Sequence, residues 1–398
     1  MSNIINTRRQ FIQTCAGGAV IGTLMPGLSF ARDDQSEKIL VVIELSGAND
    51  GLNTLVPYSN DSYYKLRPNI GIPAHKVLKI DDQYGFNPGM TAFRNLYKNG
   101  CVAVIHGCGY AQPSLSHFTS MAYWHTGAPN SGERYGWLGR LADAIDPNLR
   151  ANYLVNIDER QSLAVTAKNH MPLVYDDPDK FVRKGFHHAR EILDIKHSRS
   201  ESSEIKNYIN LADRHAKEAS HLIKTTWDSY KTPIDYGINP MGLNKVAAMI
   251  AAGVNSKIFH TSYRHNAFDT HVQQVNLHQR LLMYVSDAID AFMKDIKRIG
   301  REKDVTLVVF SEFGRRAAEN TSMGTDHGTA NHMYVIGHTV KGGHYGQAPS
   351  LADLDEGGNL KYTVDFRSVY ASVIENWMGY KNSASILHKD FDKFQLWA

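Results

Sequence analysis

Residues 324–332, GTDHGTANH, place one acid and two imidazoles within nine positions, separated by glycines and small polar residues. Oxygen and nitrogen donors so spaced suit a divalent metal ion, or they form a polar turn into the apolar run MYVIGH that follows. Other short stretches carry comparable groups. SGAND holds Asp50, and HGCGYAQPSLSHF holds Ser114 and Ser116. RHNAFDTH holds His265, Asp269 and His271, and SEFGRR holds Glu312, Arg315 and Arg316. Each alone has a plain structural explanation. Asp50-Gly51 is a common turn pair, Asp269 suits a helix N-cap, and Ser114 reads as the N-cap of a helix over 114–127. His106, inside an apolar strand, reads as a hydrogen-bonded core histidine, and His278 on a long helix is expected at the surface. Glu312 is harder to explain away, because a carboxylate closing a buried strand has few partners. Ser116 falls in the first turn of its helix, where free N–H groups favour an anion or an activated oxygen.

The elements that would position these groups alternate. KILVVIEL (38–45), CVAVIHG, KIFHTSY, DVTLVVF and NHMYVIG read as buried strands. Residues 89–100, 114–127, 272–300 and 365–379 read as helices, the third stopped by Gly300. Continuous apolar strands alternating with helices predict an α/β fold: a doubly wound, mostly parallel sheet with helices on both faces. Sites in such sheets form at the carboxyl ends of strands, and the polar stretches above occupy those ends. Residues 178–235 break the alternation. Ile205, Ile209, Ala212, Ala216, Ala219, Ile223 and Trp227 recur at helical spacing, which predicts a helical insertion rather than a separate domain.

The 398 residues are 42% hydrophobic and 21% charged, the balance of a globular protein. A formal charge of +3 gives no argument for nucleic acid or an anionic membrane as partner. Thr7-Arg8-Arg9-x-Phe11-Ile12, an apolar stretch and Ser29-Phe30-Ala31 resemble a twin-arginine export signal; an ordinary secretion signal or an uncleaved anchor is the alternative. Residues 1–31 are therefore read as a signal peptide and 32–398 as the mature domain, destined for the periplasm or beyond. The mature chain has no further apolar window of about 20 residues, so no membrane span is expected. Cys101 and Cys108 end one strand and stand roughly 23 Å apart if extended. A disulfide needs roughly 4.4–6.8 Å between Cα atoms, so both are expected to be free and buried.

LSGANDGLNTLVPY, PSLSHF, GWLGR, NAFDTH, SEFGRR, GTDHGTANHMYVIG, VKGG and TVDFRSVY follow the export signal in one order across nearly the whole mature chain. On these motifs the chain is identified as a member of the exported bacterial family "domain of unknown function 1501", which is similar to the alkaline phosphatase and sulfatase superfamily. The resemblance implies that fold and two metal positions beside a nucleophilic hydroxyl. On this sequence it assigns Asp50, Asp269, His271, Glu312, Asp326 and His327 as metal ligands, with Asp326 as orienter or second ligand. Ser116, or Ser114, becomes the nucleophile, and Arg315 or Arg316 the group that holds the transferred ester. Two departures stand out. Phe313 occupies a usual ligand position, and Ala111 and Leu115 stand where the sulfatase signature needs its modified nucleophile and an arginine.

Oxygen and nitrogen ligands of this kind suit Zn²⁺, Mn²⁺ or Mg²⁺. The expected function is a periplasmic metal-dependent hydrolase of small phosphate or sulfate esters. The alternative is a non-catalytic member of the superfamily that works with a protein partner in an exported assembly, through contacts such as the insertion helices.

Overall fold

The computed structural model describes residues 38–181 and 219–397. The export signal at 1–31 and residues 182–218 of the insertion lie outside them. Strand β1 (Ile39–Leu45) is buried at every position. Ile39, Val41, Ile43 and Leu45 enter one apolar cluster, while Leu40 and Val42 enter another. A two-residue side-chain period with both faces covered requires the continuous apolar run that the sequence supplies.

The main sheet and the helices that cover it go on with α1 (Thr91–Lys98), β2 (Val102–Gly109), α2 (His117–Thr126), α3 (Trp137–Ile145), β3 (Leu154–Ile157) and β4 (Leu173–Tyr175). They continue with α4 (Leu243–Ala251), β5 (Ile258–Tyr263), α5 (Gln274–Arg298), β6 (Val305–Phe310), β7 (Asn331–Ile336), β8 (Gly343–Tyr345), β9 (Val364–Asp365) and α6 (Phe366–Ser372). The sheet runs β8-β2-β7-β6-β1-β5-β3-β4, with β9 also pairing β2. Strand β1 pairs in parallel with β5 and β6, and β7 runs antiparallel to β2 and β6. Helices α1, α4 and α5 cover one face through Phe93, Leu243, Val246, Leu282 and Val285. Helices α2, α3 and α6 cover the other through Trp124, Trp137, Leu141 and Tyr370. This is the mostly parallel α/β architecture expected from the sequence.

The reversed β7 matters for the site. The loop between β6 and β7 starts at the carboxyl end of β6, and β7 begins at that same edge. GTDHGTANH therefore lies beside the residues that follow β1, β2 and β5.

Several elements were not anticipated. Strands β3 and β4 have four and three residues, too short for a periodic signal. A three-stranded sheet of Leu55–Val56, Leu78–Lys79 and Gly85–Phe86 lies apart from the main one. Helix α2 begins at His117 rather than at Ser114, with Ser116 at the N-cap. Ser114 Oγ accepts from Ser116 N at 3.2 Å and so closes a turn ahead of the helix. His278 is buried rather than exposed, and its Nε2 meets Asn49 Oδ1 at 2.8 Å. Cys101 and Cys108 are free and buried. Ala219 and Ile223, at the end of the expected insertion, pack into the same cluster as α5.

Candidate metal centre

Strand β6 delivers Glu312 to the sheet edge with no exposed surface. Its carboxylate accepts from Gly47 N at 2.9 Å and from Ser311 Oγ at 3.1 Å. Gly47 (φ +109°) also lets the loop carrying Asp269 pack close, since a Cβ there would stand 2.6 Å from Asp269 N. The third partner of Glu312 is His117, the first residue of α2, whose Nδ1 lies 2.7 Å from Oε1. This hydrogen bond, opposed by burial, raises the His117 imidazole above its ordinary range.

Asp269 follows β5, and His327 lies in the loop before β7. His327 Nδ1 lies 2.8 Å from the carbonyl of Leu115. Carboxylates and carbonyls only accept, so Nδ1–H is the donor on both His117 and His327. In a neutral imidazole that leaves Nε2 as a lone pair. His327 Nε2 is 3.1 Å from Asp269 Oδ1, and His117 Nε2 is 3.4 Å from Asp269 Oδ2. His117 Nε2 is buried with no hydrogen-bond partner. Two lone pairs thus converge on a carboxylate, an arrangement that needs a cation or a proton at its centre. Burial would raise the Asp269 carboxyl, but Arg315 beside it holds it below its ordinary range.

The donor set fits a divalent ion. The ligand atoms of His117, Asp269 and His327 lie within 4.8 Å of one another. Glu312 behind His117 matches a common feature of metal sites, in which a carboxylate fixes the tautomer of a ligating imidazole. His271 extends the set, with Nε2 2.9 Å from Asp269 Oδ1 and 3.0 Å from His327 Nε2. Its Nδ1 faces Asp326 Oδ1 at 3.4 Å, and Asp326 also accepts from Asn320 at 3.1 Å.

Asp269, His271 and His327, three of the residues expected as ligands, lie together, while Glu312 and Asp326, expected as ligands too, meet His117 and His271 respectively. Asp50 has other company. It is fully buried, caps the short helical turn Gly51–Thr54, and pairs with Arg67 at 2.6 Å, Gln274 donating to the same oxygen. Burial would raise its carboxyl, but Arg67 holds it below the ordinary range. No hydrogen bond among the described residues joins Asp50 to the His117 group.

Arg315 is buried, and its donors are turned inward. They reach the carbonyls of Ala48, Gly47, Phe268 and Thr325 at 2.6–3.1 Å and Asp269 Oδ1 at 2.7 Å. It braces the loops of the site. Gly328 lets those loops meet, since a Cβ there would lie 2.4 Å from the backbone of Arg315. Ser116 is exposed and makes no side-chain capping bond. Phe313, 1% exposed, packs 5.0 Å from both the His117 and His327 rings. His106 is a core histidine, bonded to His344 at 2.7 Å, and His332 sits against it within β7.

His117 was missed in the sequence, although it follows Ser116 directly in PSLSHF. Arg67, Gln274 and Asn49 were missed as well, although Asn49 lies within SGAND and Gln274 lies on the buried stripe of α5.

The fold and the donors define an α/β protein that gathers imidazoles around one aspartate at the carboxyl edge of its sheet. The chain belongs to the family described as "Protein of unknown function (DUF1501)", whose model matches residues 37–389. No curated protein matches its sequence. Among solved structures it is similar to the C-terminal periplasmic domain of EcEptC from Escherichia coli in complex with Zn. That likeness has 10% identity, covers 90% of this chain and 87% of the other, and has a TM-score of 0.40. It is similar to an alkaline phosphatase superfamily protein from Vibrio parahaemolyticus at 10% identity, 86% and 66% coverage and a TM-score of 0.41. It is also similar to the PsFucS1 sulfatase from Pseudoalteromonas sp. at 12% identity, 90% and 70% coverage and a TM-score of 0.38.

Proposed function

We propose that the protein is an exported, metal-dependent hydrolase of phosphate or sulfate esters. One observation carries the reading. His117 and His327 each commit Nδ1–H elsewhere and turn Nε2 toward Asp269, where a cation would take the place of a proton. His117, Asp269 and His327 would hold the ion, with His271 beside them. Bound there, a divalent ion supplies Lewis-acid stabilisation of charge on a transferred phosphoryl or sulfuryl group. Glu312 and the Leu115 carbonyl fix the two imidazoles, Asp326 orients His271, and Arg315 sets the position of Asp269. Ser116, exposed at the start of α2 and next to His117, is the nucleophile of first choice, with Ser114 second. The motif order that resembles the phosphatase and sulfatase superfamily supports the ester class, and Arg8-Arg9 supports export.

A second reading, a non-catalytic relative acting with an exported protein partner, draws on Phe313 and Arg315. The ring fills a position where a ligand is usual, and the guanidinium is spent on the protein's own backbone.

Protein purified from its export route decides between them. The hydrolase should carry metal and turn over an aryl phosphate or aryl sulfate until chelated. Ser116→Ala should lower that turnover by about 10² or more with metal still bound. Stable, metal-free protein, inert toward a panel of esters and recovered with a partner, would overturn the hydrolase reading.

A further inference from the structure

A second group of donors lies beneath the first, inside the interface between the sheet and α2. Glu44 on β1, His125 on α2 and His260 on β5 are 6%, 8% and 1% exposed. Val42 pairs with His260 across the β1–β5 register, so Glu44 and His260 sit on the face of the sheet that α2 covers. Their ligand atoms fall within 4.8 Å of one another. Glu44 Oε2 is 2.6 Å from His125 Nε2 and 3.6 Å from His260 Nε2.

An ion pair between Glu44 and His125 accounts for only part of this. Both ring nitrogens of His260 are buried without a hydrogen-bond partner, and so is Nδ2 of Asn156, its register neighbour on β3. A neutral imidazole needs one acceptor and one donor, and interiors seldom leave both unmet. Two unmet imidazole nitrogens beside a buried carboxylate, with an unmet amide on the adjoining strand, mark a place where something polar belongs. Donors about 2.0–2.2 Å from one ion stand roughly 3.3–3.6 Å apart in a tetrahedral site. The carboxylate and imidazole atoms need move little to meet that spacing. Two imidazoles and a carboxylate, with no thiolate, suit a first-row divalent ion, and among these Zn²⁺ suits a closed site.

We propose that Glu44, His125 and His260 form a second, enclosed site for a Zn²⁺-class ion. Asn156 donates to whatever completes the ion's coordination. The ion ties β1 and β5 to α2. His117 and His125 lie eight residues apart on that helix, about 12 Å along its axis. Fixing one end therefore steadies the helix that presents His117 at the sheet edge. The proposal does not depend on hydrolysis.

The test removes the outer donors and asks what metal remains. The variant D269A/H327A, expressed with added Zn²⁺ and dialysed against EDTA, should retain about one equivalent of metal by elemental analysis. Adding His260→Ala should remove it. Should that triple variant fail to fold, D269A/H327A refolded with Co²⁺ supplies the decision. Visible ligand-field bands are expected, and Glu44→Gln should shift or abolish them. Metal-free D269A/H327A after both preparations overturns the proposal. Measured before the EDTA step, one equivalent in both the unmodified protein and D269A/H327A supports the buried site and refutes the edge site. One equivalent in the unmodified protein and none in the variant does the reverse.

Discussion

Asp50→Asn separates an electrostatic anchor from a metal ligand. Asp50 and Arg67 are 0–1% exposed and meet at 2.6 Å. Asparagine caps helices as well as aspartate does, so the bonds from Leu52 and Asn53 N–H survive. The other oxygen is where the damage falls. Arg67 NH1 and Gln274 Nε2 both donate to Oδ2, and an amide nitrogen placed there accepts neither. The guanidinium is left buried without its counter-charge, which typically costs about 3–5 kcal/mol. Arg67 keeps bonds of 2.8–2.9 Å to Asn53, Ala317 and Arg316, so the lower end applies, about 3 kcal/mol. For the roughly 320 described residues, an unfolding entropy of about 2.1 cal/mol/K per residue turns that into a fall of roughly 4 °C in Tm. Asp50→Ala also loses the cap, for about 1 kcal/mol more. The double variant D50N/R67M should recover much of the loss, because no buried charge remains.

The assay pairs calorimetric melting with elemental analysis. The anchor role expects a lower Tm and unchanged metal content. A drop of one metal equivalent, with Tm restored by excess metal, would refute the argument and return Asp50 to the ligand role that its sequence position suggested. An unchanged Tm would refute the electrostatics.

Three further outcomes are expected. Glu312→Gln keeps the shape behind His117 but removes the charge that polarises it, so metal affinity measured by competitive chelation should fall by about 10–100-fold. Glu133 accepts from Arg134 N, Tyr135 N, His388 and Arg140. Burial opposes these partners, yet they take its carboxyl from 4.5 down to about 2. A depressed folded value means that its stabilisation is present above pH 4.5 and is lost as pH falls toward 2. Glu133→Gln should therefore flatten the Tm–pH curve in that window, and a curve parallel to the unmodified protein's would contradict the assignment. Replacing Arg8 and Arg9 by lysine should leave the precursor in the cytoplasm on cell fractionation; normal export would remove the twin-arginine reading.

Sequence disclosed most where one physical cause acts alone. Strand β1 was legible because burial on both faces demands an unbroken apolar run, and the edge position of Asp269, Glu312 and His327 followed from the strand ends. Short strands such as β4 carry too few residues for a period. His278 was within reach. Gln274, His278, Leu281, Leu282 and Val285 recur at helical spacing on α5 and are all buried, so its place on the apolar stripe outweighed its polarity. The partner of His117 was beyond local reach, since Glu312 lies 195 positions away.

What the sequence could not weigh is charge neutralisation among the acids it singled out. Each of the three carboxylates at this edge has a cationic or imidazole partner in the fold: buried Asp50 has Arg67, half-buried Asp269 has Arg315 and buried Glu312 has His117. An ion at the edge would therefore meet one aspartate, itself bonded to a guanidinium, and otherwise imidazole nitrogen. Mg²⁺ depends on oxygen donors and strong negative charge, and that donor set offers little of either. Zn²⁺ accepts imidazole nitrogen and a tetrahedral set of few ligands. For the metal site proposed above, Zn²⁺ is therefore the expected ion of the three that the ligand types suggested, because Arg67 and Arg315 offset two of the carboxylates that would have favoured a harder ion; Mg²⁺ in the purified protein would refute this step.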